Sequence, residues 1–293
     1  RGVREQVGLF DLSSFGKIRV QGRDAVHLLQ ELSTADVDVA PDRTVYTQWC
    51  NERGGIEADV TVTREAPDQF LVVSAAATQV RDLAWLRRSV AASDRCWVTD
   101  VTSAMAVLSV MGPHSRALLQ PLTDIDLGND AFPFRSSRVV DVGYARVRAS
   151  RITYVGELGW ELYVPTEFAA GVFDALASAG ADHGLTLCGY HALNSLRMEK
   201  GYRHWGHDIS PDDNPLEAGL GFAVAWDKPG GFVGLEALAA VRGKAPARRG
   251  PDHQLQLHHR QIPGRRRRPV WRRQVRGRGL HRIPAGIVHR APP

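Results

Sequence analysis

The chain has 293 residues, 43% hydrophobic and 24% charged. That is long enough for a sizeable core in one large or two smaller domains, and too apolar for a disordered chain. The formal charge of +5, with a pI near 9.4, is unevenly placed. From Pro246 to Pro293 there are 13 Arg, no Lys and one acid, a balance of +12, whereas the other 245 residues carry 24 basic against 31 acidic residues, a balance of −7.

The start, Arg1-Gly2-Val3-Arg4, lacks Met and reads as a fragment or a processed form. No charged-then-apolar leader pattern is present, and no apolar run approaches the roughly 18–20 residues that span a bilayer. Residues 17–21 alternate as a half-buried strand. Arg23–Leu32 carries a helical apolar stripe, Val45–Cys50 and Ile56–Thr63 read as strands, and Asn51-Glu52-Arg53-Gly54-Gly55 between them reads as a hairpin loop whose glycines accept positive φ. Phe70–Ser74 predicts a strand, Thr78–Val90 a helix, Trp97–Val101 and Val107–Met111 strands, and Pro113–Leu119 a short helix with Pro in its first turn. Val139–Tyr144, Ala145–Val155 and Trp160–Val164 predict further strands. Thr166 is placed to cap a helix over Phe168–Ala179, and Gly189–Lys200 reads as a helix closed by Gly201. The class is α+β: antiparallel hairpins with interspersed helices and no regular βαβ alternation.

Cys50, Cys96 and Cys188 are far apart and odd in number, which predicts buried thiols in a reducing compartment. Neither G-x-G-x-x-G nor a P-loop occurs, so the chain has no obvious dinucleotide or nucleoside-triphosphate fingerprint of its own.

Three segments carry chemistry. After the glycine hairpin, Glu57 and Asp59 share one strand face, either lining a pocket mouth or forming a solvated edge; pattern alone favours the edge. Tyr154-Val155-Gly156-Glu157-Leu158-Gly159-Trp160-Glu161-Leu162-Tyr163 offers aromatic faces, close backbone approach and carboxylates that accept paired N–H groups, which suits a flat polar ring. The alternative is a strand–turn–strand with Trp160 and Tyr163 in the core. In Asn194 to Ile209, Arg197 is placed to meet a ligand carboxylate, with Arg203 as second candidate. The alternative is an amphipathic helix whose Arg197 pairs with Glu199 or Asp208. His204 and His207 are three apart without a third spaced ligand, so no metal is expected.

Together with Phe10-Asp11-Leu12-Ser13-Ser14-Phe15-Gly16-Lys17, Asn214-Pro215-Leu216-Glu217-Ala218-Gly219-Leu220 and Phe232-Val233-Gly234, these segments resemble the aminomethyltransferase (glycine cleavage T-protein) folate-binding family. They are most similar to the version fused behind a flavin domain in sarcosine and dimethylglycine dehydrogenases. The resemblance covers about residues 1–245 in order. It implies a folate-binding fold of lobes around a central channel, with tetrahydrofolate as cofactor. It also implies Asp59 as the acid near the reactive nitrogens, Tyr154 and Glu161 holding the pterin, and Arg197 meeting the carboxylate tail or bracing the channel. The implied reaction is one-carbon transfer forming 5,10-methylenetetrahydrofolate, with FAD only on a missing domain or a partner subunit. Expected partners are thus a folate, an N-methyl amine-derived one-carbon unit and a flavin oxidoreductase, with no nucleic acid and no membrane, in the cytoplasm or a mitochondrial matrix. A glycine-cleavage aminomethyltransferase and an inactive folate-binding fragment are the alternatives.

Ala35-Asp36 replaces a common Asn-Asp step, and Leu235 follows Phe232-Val233-Gly234 where relatives usually carry Lys or Arg. The larger departure begins at 246, where a C-terminal β-barrel lobe is expected and no strand alternation is present. A basic arm for nucleic acid or an anionic membrane, a solvated tail, and translation in the wrong frame compete as readings. Arg without Lys, in a chain otherwise holding 20 Arg and 4 Lys, favours out-of-frame reading of a GC-rich gene. Reading the DNA in the other frames from codon 245 should then restore an apolar-alternating segment.

Overall fold

Apolar residues at every second position divide this protein into two sheets whose inner faces share one apolar cluster. The structure is a computed structural model and describes residues 1–244. The Arg-rich stretch, with its competing readings and its place as a separate segment, lies outside the described residues.

In chain order the elements are α1 (Gly2–Glu5), β1 (Val7–Asp11), β2 (Gly16–Gln21), α2 (Ala25–Leu32), β3 (Arg43–Cys50), β4 (Ile56–Ala66), β5 (Gln69–Ser74) and α3 (Gln79–Ser89). They continue with β6 (Trp97–Asp100), β7 (Met105–Met111), α4 (Ser115–Leu119), β8 (Ser137–Val142), β9 (Ala145–Ser150) and β10 (Gly159–Pro165). The last four are α5 (Ala169–Gly180), β11 (Leu185–Cys188), α6 (Tyr190–Glu199) and α7 (Leu235–Val241). One sheet has the order β3-β4-β5-β2-β6 and the other β11-β1-β7-β10-β9-β8, with β1 and β11 parallel. This is the α+β class that the hairpin pattern predicts, and no closed barrel occurs among the described residues.

Alternation assigns the faces. Ile18, Val20, Trp49, Ala58, Val60, Val62, Phe70 and Val72 pack with α2 and α3 on the outer face of the five-stranded sheet. Trp160, Leu162 and Val164 pack with α4 and α5 on the outer face of the other. Between the sheets, Leu71 and Val73 meet Phe10, Val107, Met111 and Tyr163, joined by Leu193 and Leu196 of α6. The remaining strand positions, among them Asp59 and Glu161, belong to these inner faces.

The segment after α6 wraps back onto the β3–β4 hairpin, where Ile209, Ala218 and Leu220 cover Ile56, and Phe232 and Leu238 cover Cys50. Lys228, 7% exposed, fastens this segment to the end of α2 by donating to the carbonyls of Gln30 (2.6 Å), Ser33 and Ala35 (3.2 Å). It thus takes up carbonyls left open at a helix C-terminus. Lys17 is fully buried with its ammonium on the Ser13 carbonyl at 2.7 Å, and burial pushes its pKa down to about 8.

Several sequence expectations need correction. The strand expected over Ala145–Val155 stops at Ser150, because Thr153 accepts the N–H groups of Val155 and Gly156 and turns the chain, with Gly156 at φ +73. Thr166 does not cap the following helix: its hydroxyl donates to the Ser103 carbonyl at 2.7 Å, and residues 166–168 form a 3-10 turn before α5. The pattern also misses β1, β11 and α7. β1 is central, with Val7 to Phe10 all buried, so it shows no alternation, and β11 is only four residues long.

Candidate active site

The β3–β4 hairpin builds the first part of the site. Gly54 stands at φ +81, and the Asn51 side chain closes the loop by accepting the N–H groups of Arg53 and Gly55, each at 3.0 Å. A Cβ on Gly55 would come within 2.0 Å of the Pro211 carbonyl oxygen, so only glycine lets the loop meet the returning segment. Asn51 also donates to Glu57 at 2.8 Å, which removes Glu57 from the solvated edge. The hairpin register sets Asp59 directly opposite Gln48 on the inner face.

Asp59 is half-buried, and Gln48 Nε2 donates to its Oδ1 at 2.8 Å. Tyr46, on the same face two residues before Gln48, presents its hydroxyl to the same carboxylate. Burial pushes the Asp59 pKa up to about 6, against the hydrogen bonds of Gln48 and Tyr46 and the charge of Arg203, which pull it down. Asp82 of α3 adds a smaller upward push. The result is a carboxyl that changes protonation close to neutral pH, which suits a proton-handling group.

Tyr154 occupies the loop between β9 and β10. Its hydroxyl donates to the Arg203 carbonyl at 2.6 Å, and its ring stacks on Tyr202 with centroids 6.2 Å apart and planes 14° apart. Burial pushes its hydroxyl up, and it lies within electrostatic range of Arg197, Asp59, Asp208 and Tyr190. Asp59, Tyr154 and Arg197 therefore surround one region.

Arg197 sits on α6 with its guanidinium fully engaged. Nε and Nη2 donate to Asn194 Oδ1 at 2.9 and 2.7 Å, while Nη1 donates to the Tyr202 carbonyl at 3.0 Å and to Asp208. Of the two pairings left open by the sequence, the one with Asp208 forms, and it is buried: the side chains are 4% and 12% exposed. Glu199 pairs instead with Arg4 at 2.9 Å.

Glu161 is buried on the inner face of β10, where Tyr163, two residues on, donates its hydroxyl to Oε2 at 2.7 Å. Burial pushes its carboxyl up and the Tyr163 bond pulls it down. Among the described residues Glu161 has no hydrogen bond to Asp59, Tyr154 or Arg197. Trp160 is fully buried in the outer core, as the alternative reading has it.

Sequence reasoning misses Tyr46 and Gln48, and names Tyr163 only within its motif or as a core residue. Gln48 is legible once the register is known, because it lies directly across the ladder from Asp59, and Tyr46 lies two residues before it; Tyr163 gains its role from Glu161 two residues back. The rings of His204 and His207 are 4.6 Å apart, and His204 Nε2 lies 3.3 Å from the Tyr190 hydroxyl. No cluster of three metal-ligating side chains occurs among the described residues. No helix among them is long and apolar enough to cross a membrane.

The arrangement of the two sheets matches the fold of a glycine cleavage T protein. The glycine cleavage system aminomethyltransferase T from Bartonella henselae matches with a TM-score of 0.73 and 29% identity over 83% of this chain and 65% of that one. Residues 1–228 match the GCVT N-terminal domain, and the chain belongs to that family. Among curated relatives, 4-methylaminobutanoate oxidase (formaldehyde-forming) of Paenarthrobacter nicotinovorans is 47% identical over 85% of this chain and 30% of its own length. The mitochondrial sarcosine dehydrogenase of Homo sapiens is 40% identical over 84% of this chain and 28% of its own length. The chain thus spans about three tenths of the length of these relatives.

Proposed function

We propose that residues 1–245 are the folate-binding portion of an enzyme that demethylates a small N-methyl amine and passes the carbon to tetrahydrofolate, forming 5,10-methylenetetrahydrofolate. The observation that carries this reading is the half-buried Asp59, with its pKa pushed up to about 6, set between Gln48, Tyr46 and Tyr154. The length of the relatives and the name of the sarcosine dehydrogenase among them support the link to amine oxidation. FAD would belong to another portion of the protein or to a separate subunit, because this sequence has no glycine-rich phosphate loop. The cytoplasm or a mitochondrial matrix would supply the folate.

The residues fit a flat ligand rich in N–H groups. Glu161 has one oxygen held by Tyr163, and its other oxygen can accept N–H donors. Tyr154, already stacked on Tyr202, can supply a second aromatic boundary. Tetrahydrofolate, when bound, supplies the amine nitrogens that accept the one-carbon unit. Asp59 stabilises positive charge at those nitrogens and takes up a proton on its carboxylate as the new bond forms. Gln48 and Tyr46 fix the carboxylate, and Arg197 braces the wall by tying α6 to Asp208 and to the turn at Tyr202. The region after 245 is left outside this assignment.

The test is calorimetric titration of the full chain with tetrahydrofolate. Glu161→Gln keeps the size of the side chain but turns an acceptor-only group into one that also presents N–H, so the ligand should bind at least tenfold more weakly, on the order of 1.5–3 kcal/mol for a charged hydrogen bond. Equal affinity in the two forms would remove Glu161 from the site. The match to an aminomethyltransferase structure favours a second reading, transfer within glycine cleavage. Supplying an N-methyl amine with a flavin oxidase, against a lipoyl-bearing donor, separates the two.

A further inference from the structure

Gln48 is the most buried polar side chain touching Asp59, with no exposed surface. It stands directly across the β3–β4 ladder, donates from Nε2 to Asp59 Oδ1 at 2.8 Å, and faces the Tyr46 hydroxyl. Its other end, Oε1, is buried without a hydrogen-bond partner among the described residues. Nearby hydroxyls do not fill it: Thr34 and Thr47 bond to each other and to backbone groups of Gln48, Ala35 and Ala223. A buried amide with one end unfilled weakens a fold, and an apolar side chain of similar volume would serve the packing better. The group that gains from this amide is the carboxylate opposite.

We propose that Gln48 is a positioning residue for Asp59: its amide N–H holds Oδ1, fixes the plane of the carboxylate, and favours the ionised form of the acid over the protonated one. An amide has a donor end and an acceptor end. Turned as it is, it stabilises a negative oxygen; flipped, it would set oxygen against oxygen. Removing the donor should therefore make Asp59 hold its proton more tightly, the sense in which this hydrogen bond already acts. The other charged or titratable groups facing Asp59 are Tyr46 on β3, Asp82 on α3, Arg203 after α6 and Tyr154 in the β9–β10 loop. Of these only Tyr46 also meets Gln48; Asp82, Arg203 and Tyr154 keep their surroundings when Gln48 alone is replaced.

The importance of this for turnover rests on the proposed role of Asp59, but the effect on Asp59 itself does not. The experiment uses the full chain with carboxyl-labelled aspartate and follows the Asp59 carbon by NMR from pH 4 to 8, its signal assigned by its disappearance in Asp59→Asn. In Gln48→Leu the midpoint should rise, with Asp59 becoming about a tenfold weaker acid, while the thermal midpoint of unfolding at pH 4, where Asp59 is protonated, stays the same or increases. Gln48→Met, of different shape, should do the same. An unmoved Asp59 midpoint in the folded variants overturns the proposal. So does loss of the fold in both, which would make the amide a structural requirement. The low-pH limb of one-carbon transfer is then compared with the NMR midpoint. If both move together, with KM for tetrahydrofolate nearly constant, Gln48 acts on turnover through Asp59. If the midpoint moves and the limb does not, the Gln48–Asp59 pair stands and the proton-handling role of Asp59 in turnover falls.

Discussion

Replacing Asp59 with Asn should cut one-carbon transfer by roughly 10²–10⁴-fold, the range for losing a positioned acid–base group, while tetrahydrofolate still binds within a few-fold of the original affinity. The same change should leave the protein as stable or more stable at pH 7. Burial holds the folded-state pKa of Asp59 near 6, above its ordinary value of 3.8, so the folded protein binds this proton more tightly than the unfolded chain does. Above pH 6 the charged carboxylate is a full burden on the fold, and the burden fades as pH falls from 6 towards 3.8. Asn carries no charge at either pH. A gain of about 1–2 kcal/mol at pH 7 is reasonable, less than the whole shift implies because the side chain is partly exposed. Urea unfolding at pH 7 and pH 4.5 reads it, and the difference between the two proteins should close at the lower pH. Asp59→Asn protein with unimpaired turnover would end the assignment. In the unaltered protein, activity should decline below about pH 6 as the carboxylate is protonated.

Arg197→Met should destabilise the fold by about 3–5 kcal/mol, the usual consequence of stranding one partner of a buried ion pair. Asp208 would keep only the backbone N–H of His204 (3.0 Å) as its other hydrogen-bond donor, Asn194 Oδ1 would lose two donors and the Tyr202 carbonyl one. Combining it with Asp208→Leu should recover part of that loss, and not all, because the His204 N–H then goes unsatisfied. A double-mutant cycle by urea unfolding measures the coupling. Strictly additive losses would mean that the pair contributes nothing through its own contact.

Local order was readable wherever an element sets a polar face against an apolar one. β2, β4 and the stripe on α2 alternate or repeat cleanly, and their bounds lie within a few residues of the pattern. Where both faces are covered, as at β1, the periodic signal vanishes, and no inspection of Val7 to Phe10 reveals a central strand. The residues of the Tyr154 loop have strand character, while the deciding contact is local, from the Thr153 hydroxyl. The roles of the carboxylates of the candidate site come from the family resemblance, since pattern alone favours a solvated edge for Asp59. The supporting residues were not legible, since Gln48 gains meaning only from the residue across the ladder and Tyr163 only from the carboxylate two positions back. Arg197 shows the converse: the motif singles out the residue, but its commitment to Tyr202 and Asp208 depends on how the turn after α6 folds back.

The placement of β1 has a consequence for how the chain comes off the ribosome. All five strands of one sheet lie between residues 16 and 100, so that half can assemble while the rest is still being made. The other sheet holds β1 between β7 and β11, joining residues 7–11 to residues 185–188. Its parallel pairing must close a loop of most of the chain, an entropically slow step. Within the described residues β1 therefore waits for β11, and until residue 188 emerges the far edge of β1 stands unpaired, where a chaperone would find it.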